Sequence, residues 1–154
     1  AAELDKQFAV DSVITMLSAC QIAGPSLLEL RAWRWLYANP DATAAALRTE
    51  VLRIAEALWT RFYERDFGKD GYRILAAYQH MIGHPLYLPD YTLGHMMSHQ
   101  IRSFMRGKDL ATETKRITSL GSLTPDLWMR RAVGTPVSAA PLASDAAAGL
   151  RQLA

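Results

Sequence analysis

The chain has 154 residues, half of them apolar and about a fifth charged, which is enough for one modest domain with a real core. Its formal net charge is only +2 and it carries no block of five or more basic residues, so nucleic acid is not expected as a main partner. No unbroken run of about 18 apolar residues occurs, so no membrane span is expected, and the opening AAELDKQFAV lacks the basic and apolar stretches of a signal peptide.

In chain order, Val10, Ile14, Leu17 and Cys20 recur at helical spacing and mark an amphipathic first helix. Cys20 is the one cysteine and reads as a small buried apolar residue. It cannot form a disulfide within the chain, which leaves both cytoplasm and periplasm open as compartments. Gly24-Pro25 predicts an interruption or kink, with Ser26 able to cap a continuation that stops at Asn39-Pro40. The next helix is the clearest, capped by Asp41 or Thr43, with Leu47, Val51, Ile54, Leu58 and Phe62 as its buried stripe. Gly68 to Gly71 reads as a loop and YRILAAYQHMI as a short helix.

A break at Gly83 to Leu88, shaped by Pro85, precedes a helix from about Pro89 to Gly107. Asp109 caps a further helix ending near Gly121. TPDLWMRRAVG has a cap, a proline at the first position and a glycine stop, and Ser138 can cap an alanine-rich last helix. No strand and no internal repeat is read. The expected fold is all-α, about seven helices, either one helical domain over residues 1–154 or the C-terminal part of a larger catalytic domain. Trp33, Trp35, Trp59 and Trp128 are expected to pack between helices.

GHPLYLPDYTLGHMMSHQ concentrates the chemistry, with His84, His95 and His99 beside Tyr87 and Tyr91, and His80 just upstream. Tyr91, His95, His99 and Arg102 share one helix face, while Leu93, Met97, Ile101 and Phe104 should meet the core. Three readings stand. His-x3-His can share a metal ion between adjacent turns, but the zincin pattern HExxH needs a glutamate where this chain has Met96. Tyrosine and histidine can instead be half-buried packing groups with satisfied polar tips, the reading preferred for His99 and, taken singly, His84. Finally, tyrosine hydroxyls and a protonated imidazole can form a cleft wall that donates to a developing oxyanion.

The run Leu86-Tyr87-Leu88-Pro89-Asp90-Tyr91-Thr92-Leu93-Gly94 resembles the Gly-Tyr-Phe-Pro-Thr-Tyr-x-Leu-Gly motif of the carboxypeptidase Taq group. With the helix-stop pattern of GSLTPDLWMRRAVGTPVSAAPL and the segment from Ser26, the chain is similar to the C-terminal part of gluzincin zinc peptidases of the thimet oligopeptidase, oligoendopeptidase F and carboxypeptidase Taq groups. The resemblance implies catalytic roles for Tyr87, Tyr91 and His80 and substrate binding for His84; His95 shares the face of Tyr91 and joins the substrate-binding candidates. The further tyrosine of the thimet group is replaced by Gly94.

The resemblance also implies zinc in the complete enzyme, but neither HExxH nor the distal glutamate is recognisable, so no metal ligand is assigned in this chain. Ala23 stands where the family ligand precedes its Pro-Ser pair, and Glu29 is expected to face solvent or pair with Arg31 or Arg34. The expected partners are a peptide substrate and an upstream zinc-bearing segment or chain. The alternative is a non-catalytic helical binding module.

Overall fold

The computed structural model describes residues 2–154. It is all-α: among the described residues there are eight α-helices, one 3-10 helix and no strand. The α-helices are α1 (Ala2–Ala38), α2 (Ala44–Phe62), α3 (Glu64–Phe67), α4 (His80–Gly83), α5 (Leu88–Met105), α6 (Leu110–Thr118), α7 (Pro125–Val133) and α8 (Ala140–Leu153). The chain divides into two compact units, Ala1–Ala19 with Thr92–Ala154, and Cys20–Tyr91.

Within Cys20–Tyr91, the core gathers Leu28 of α1, Ile54, Ala55, Leu58 and Trp59 of α2, and Leu75 of the 3-10 helix. The buried stripe of α2 therefore departs from the expected one. Ile54 and Leu58 are buried as expected, Leu47 and Val51 are only half covered, and Phe62 is exposed while Ala55 and Trp59 take its place. The helix ends at Phe62, so the last residue of the stripe lies where α2 turns away. Thr43, not Asp41, caps α2 by accepting the Ala46 N–H at 3.2 Å.

Of the interruption or kink expected at Gly24-Pro25, the interruption does not occur: α1 runs through it for 37 residues. Proline removes one backbone donor and crowds the preceding turn, which leaves the hydrogen-bond ladder open there. Tyr63 fills the opening. Its hydroxyl donates to the Cys20 carbonyl at 2.6 Å and also meets the Gly24 N–H. A Cβ on Gly24 would stand 2.5 Å from that hydroxyl, so glycine is required for the approach. Ser26 bonds back to the Ile22 carbonyl at 2.8 Å within the helix and does not start a new one. Cys20, expected to be buried, is exposed together with Ile14 and Leu17, because this part of α1 turns Ala9, Ser12 and Ala19 inward instead.

The loop expected at residues 68–71 and the helix expected after it are instead a 3-10 helix, Lys69–Ala76, followed by the one-turn α4. Trp59 is responsible: its indole N–H donates to the Gly68 carbonyl at 2.6 Å, and its ring lies so close to Gly71 that any side chain there would clash. The segment must be glycine-lined and tightly wound to fit the indole.

In the other unit, the buried side chains include Ala9, Ser12, Ile117, Met129, Ala132, Leu142 and Ala146. Gly149 lets α8 approach the backbone of α1, since a Cβ there would meet the Ala9 carbonyl oxygen at 2.5 Å. Asp109 caps α6 by accepting the Thr112 N–H at 2.8 Å, and these Thr112 bonds hold its carboxyl below the usual range. That helix stops at Thr118, short of Gly121. Arg116 donates to the Arg131 and Ala132 carbonyls and so covers the open end of α7. The last helix begins at Ala140, with Ser138 accepting the Ala140 N–H at 3.2 Å.

One stretch of α1 is, by length and composition, long and apolar enough to cross a membrane, and a third of it is buried here. Its apolar residues are interleaved with Ser, Thr and Gln, so a search for an unbroken apolar run passes over it.

Two outcomes follow from the Tyr63 contact. Tyr63→Phe leaves the Cys20 carbonyl and Gly24 N–H without a partner and should destabilise the fold by about 1–3 kcal/mol in urea denaturation. Burial raises the Tyr63 hydroxyl above its ordinary pKa, and the Gly24 N–H only partly opposes this. The folded state therefore holds this proton more tightly than the unfolded state. Stability from Tyr63 is complete below about pH 10 and is lost as pH rises through the higher folded value. Melting temperatures measured across alkaline pH should fall more steeply for the wild type than for Tyr63→Phe.

Candidate functional site

Four of the five residues singled out in the sequence come together within the Cys20–Tyr91 unit. His80 opens α4, His84 follows it one turn later, Tyr87 precedes α5 and Tyr91 lies one turn inside α5. Their rings form a closed circuit. The centroids of His80 and His84 are 6.0 Å apart, His84 and Tyr87 6.3 Å, Tyr87 and Tyr91 5.2 Å, and Tyr91 and His80 6.1 Å. The two closest to perpendicular are Tyr87–Tyr91 at 79° and His80–Tyr91 at 85°, the edge-to-face arrangement that suits the aromatic quadrupole.

Neither phenol is spent on the core: Tyr87 is 47% and Tyr91 39% exposed. Tyr63 makes the contrast, since its hydroxyl is committed to the α1 backbone. Ile82 and Leu86 are exposed beside the same turn. The arrangement can present hydroxyl and imidazole donors to a ligand from a support fixed by two helices and a proline turn.

The turn itself is unusual. The Tyr87 N–H donates to the His84 carbonyl at 3.1 Å, Pro85 takes the first central position, and Leu86 the second with φ of 64°. Proline followed by a left-handed residue is the pattern of a type II turn, where glycine usually occupies the second position. Leu86 is the only described residue other than glycine with positive φ. Glu29 braces it: the Leu86 N–H donates to Glu29 Oε1 at 2.6 Å. Glu29 is thus neither solvent-facing nor paired with an arginine, as the sequence led one to expect. It is 2% exposed, and its second oxygen is buried without a partner. No local signal in the sequence joins it to a turn 57 residues away.

The remaining candidates go elsewhere. His95 is half-buried on α5 in the Thr92–Ala154 part of the chain. His99 is buried, and its Nδ1 pairs with Asp145 Oδ2 at 2.9 Å. Arg106 reaches the other Asp145 oxygen at 3.4 Å, Phe8 packs against the His99 ring, and the Arg102 guanidinium lies over the Phe8 ring. The expected apolar face of α5 is only half covered at Leu93, Met97, Ile101 and Phe104, whereas the polar His99 and Gln100 are buried. Gln100 satisfies itself fully, donating to Thr135 Oγ1 and the Pro136 carbonyl and accepting the Ser138 N–H. Among the described residues, no three His, Cys, Asp or Glu side chains stand close enough to hold one metal ion.

In comparisons with known proteins, no family model, curated relative or solved structure matches the chain.

Leu86→Gly should stabilise the protein, because relief of the left-handed strain outweighs the added freedom of the unfolded chain by about 0.5–1 kcal/mol. Chemical denaturation measures this directly. A loss of stability would mean that the Leu86 side chain contributes more than its backbone costs.

Proposed function

We propose that this chain is the distal helical part of a zinc peptidase catalytic domain, supplying the wall of the cleft that binds peptide and steadies the oxyanion. The observation that carries the reading is the closed ring of His80, His84, Tyr87 and Tyr91 with both phenols exposed. A second observation supports it. The family motif begins with glycine, and its counterpart here, Leu86, has the positive φ that glycine adopts without strain.

Tyr87 and Tyr91 donate hydrogen bonds to the negative charge that develops on the attacked carbonyl, and His80 adds a third donor when protonated. His84 contacts the peptide. In this reading the metal of the complete enzyme is held by an upstream segment or chain bearing HExxH. Large apolar side chains left exposed on α1, among them Leu4, Ile14 and Leu17, fit a surface that such a segment would cover.

The chain alone is expected neither to hydrolyse peptides nor to bind zinc tightly. Joined to the upstream segment it should do both, and Tyr87→Phe or Tyr91→Phe should lower kcat by about 100- to 1000-fold for the tyrosine that donates. The reading fails if no HExxH is encoded in the same frame or a neighbouring gene. Light scattering separates the binding-module alternative: a monodisperse monomer without affinity for hydrophobic dye favours it, whereas self-association or strong dye binding favours the missing segment.

A further inference from the structure

A buried acid normally has both oxygens satisfied, because an unpaired polar atom in the interior is costly. Glu29 has one oxygen committed to a single N–H, that of Leu86, and the other without a partner. The choice of that N–H matters. Type I and type II turns differ by a flip of their central peptide, here Pro85-Leu86, and the flip reverses the direction of the Leu86 N–H. A nonglycine residue at the second position ordinarily favours type I, since the left-handed conformation costs it energy. A carboxylate on one side of the peptide stabilises only the orientation that points the N–H toward it. Charge-assisted hydrogen bonds are stronger than neutral ones, and this one is short at 2.6 Å.

We infer that Glu29 is a positioning residue that anchors the flipped Pro85-Leu86 peptide to α1 and so fixes where the turn, with His84 and Tyr87 at its corners, stands in the aromatic ring. This rests on the reading of that ring as a substrate wall for its functional meaning, but not for its structural test. The carboxylate acts from α1, outside the motif, through a backbone group. A peptide flip alone leaves the two corners of the turn, His84 and Tyr87, nearly in place, but the Glu29 bond ties the peptide between them to α1, so its loss frees the turn to shift and to carry both side chains with it. The ring circuit depends on the placement of that turn, because it closes through the His84–Tyr87 pair at 6.3 Å.

Isotope-labelled protein tests this by amide exchange and aromatic chemical shifts. Glu29→Met fills the same space without an acceptor; the Leu86 amide should then exchange about 10- to 100-fold faster, and the Tyr87 and Tyr91 ring signals should move toward those of free tyrosine. Glu29→Gln keeps an acceptor oxygen and should preserve both signatures. Adding Leu86→Gly to Glu29→Met should leave the ring signals displaced, because glycine relieves the strained turn but restores no bond to α1. The inference is overturned if Leu86 exchange is unchanged in Glu29→Met, if it changes only in step with the core amide of Leu58, or if Glu29→Gln behaves like Glu29→Met. Titrating the wild type with a short unlabelled alanine peptide keeps the two ideas apart. Absence of any shift at Tyr87 and Tyr91 would remove the substrate wall while leaving the role of Glu29 standing.

Discussion

The contact between Glu29 and the Leu86 N–H joins the longest helix to the turn that carries the exposed tyrosine. Both ends of it are energetically unfavourable alone. A carboxylate is placed where water cannot reach it, and a branched residue is placed in left-handed backbone. Each offsets the other, because the N–H offered by the strained turn is the donor the carboxylate lacks. Such a pair is informative. Hydrophobic burial would be served as well by an apolar residue at position 29, so the acid there is explained by the direction it imposes on a peptide, not by stability of the core.

The same logic recurs at other buried polar groups. Tyr63 closes the ladder that Pro25 opens, and Gln100 ties α5 to the segment Thr135 to Ser138 with three hydrogen bonds. His99 is held by Asp145, which also takes Arg106. In each case a polar side chain on a helix or at its end reaches irregular backbone or a distant helix and fixes its position. Apolar contacts are non-directional and tolerate small shifts. These bonds are directional, and they define where the connecting segments run.

This difference explains what could be read from the sequence. The all-α class, α2 with its Thr43 cap, α6 with its Asp109 cap and the boundaries of α7 were legible because period, cap and stop are local signals. The uninterrupted course of α1 was not, since the residue that makes Gly24-Pro25 tolerable is Tyr63, far along the chain. Nor was the 3-10 helix, which is shaped by the Trp59 indole and needs Gly71 for clearance. The proximity of His80, His84, Tyr87 and Tyr91 was legible from spacing around one turn. The brace beneath that turn was not, because Glu29 on a helix with flanking arginines looks like any solvated charge.

Arg31 and Arg34 show why the local expectation failed. Both are exposed, and the helix turns Glu29 away from solvent by placing it beside Leu28 and Pro25, which are also buried. Once the apolar neighbours fix the rotation of α1, the acid must enter the interior, and its only described donor is a peptide whose flip costs energy elsewhere. The turn between His84 and Tyr87 is thus braced by the rotational setting of a helix that contributes no ring to the circuit. A change on the buried face of α1, even one that leaves every residue of the motif in place, acts on the turn through this one bond.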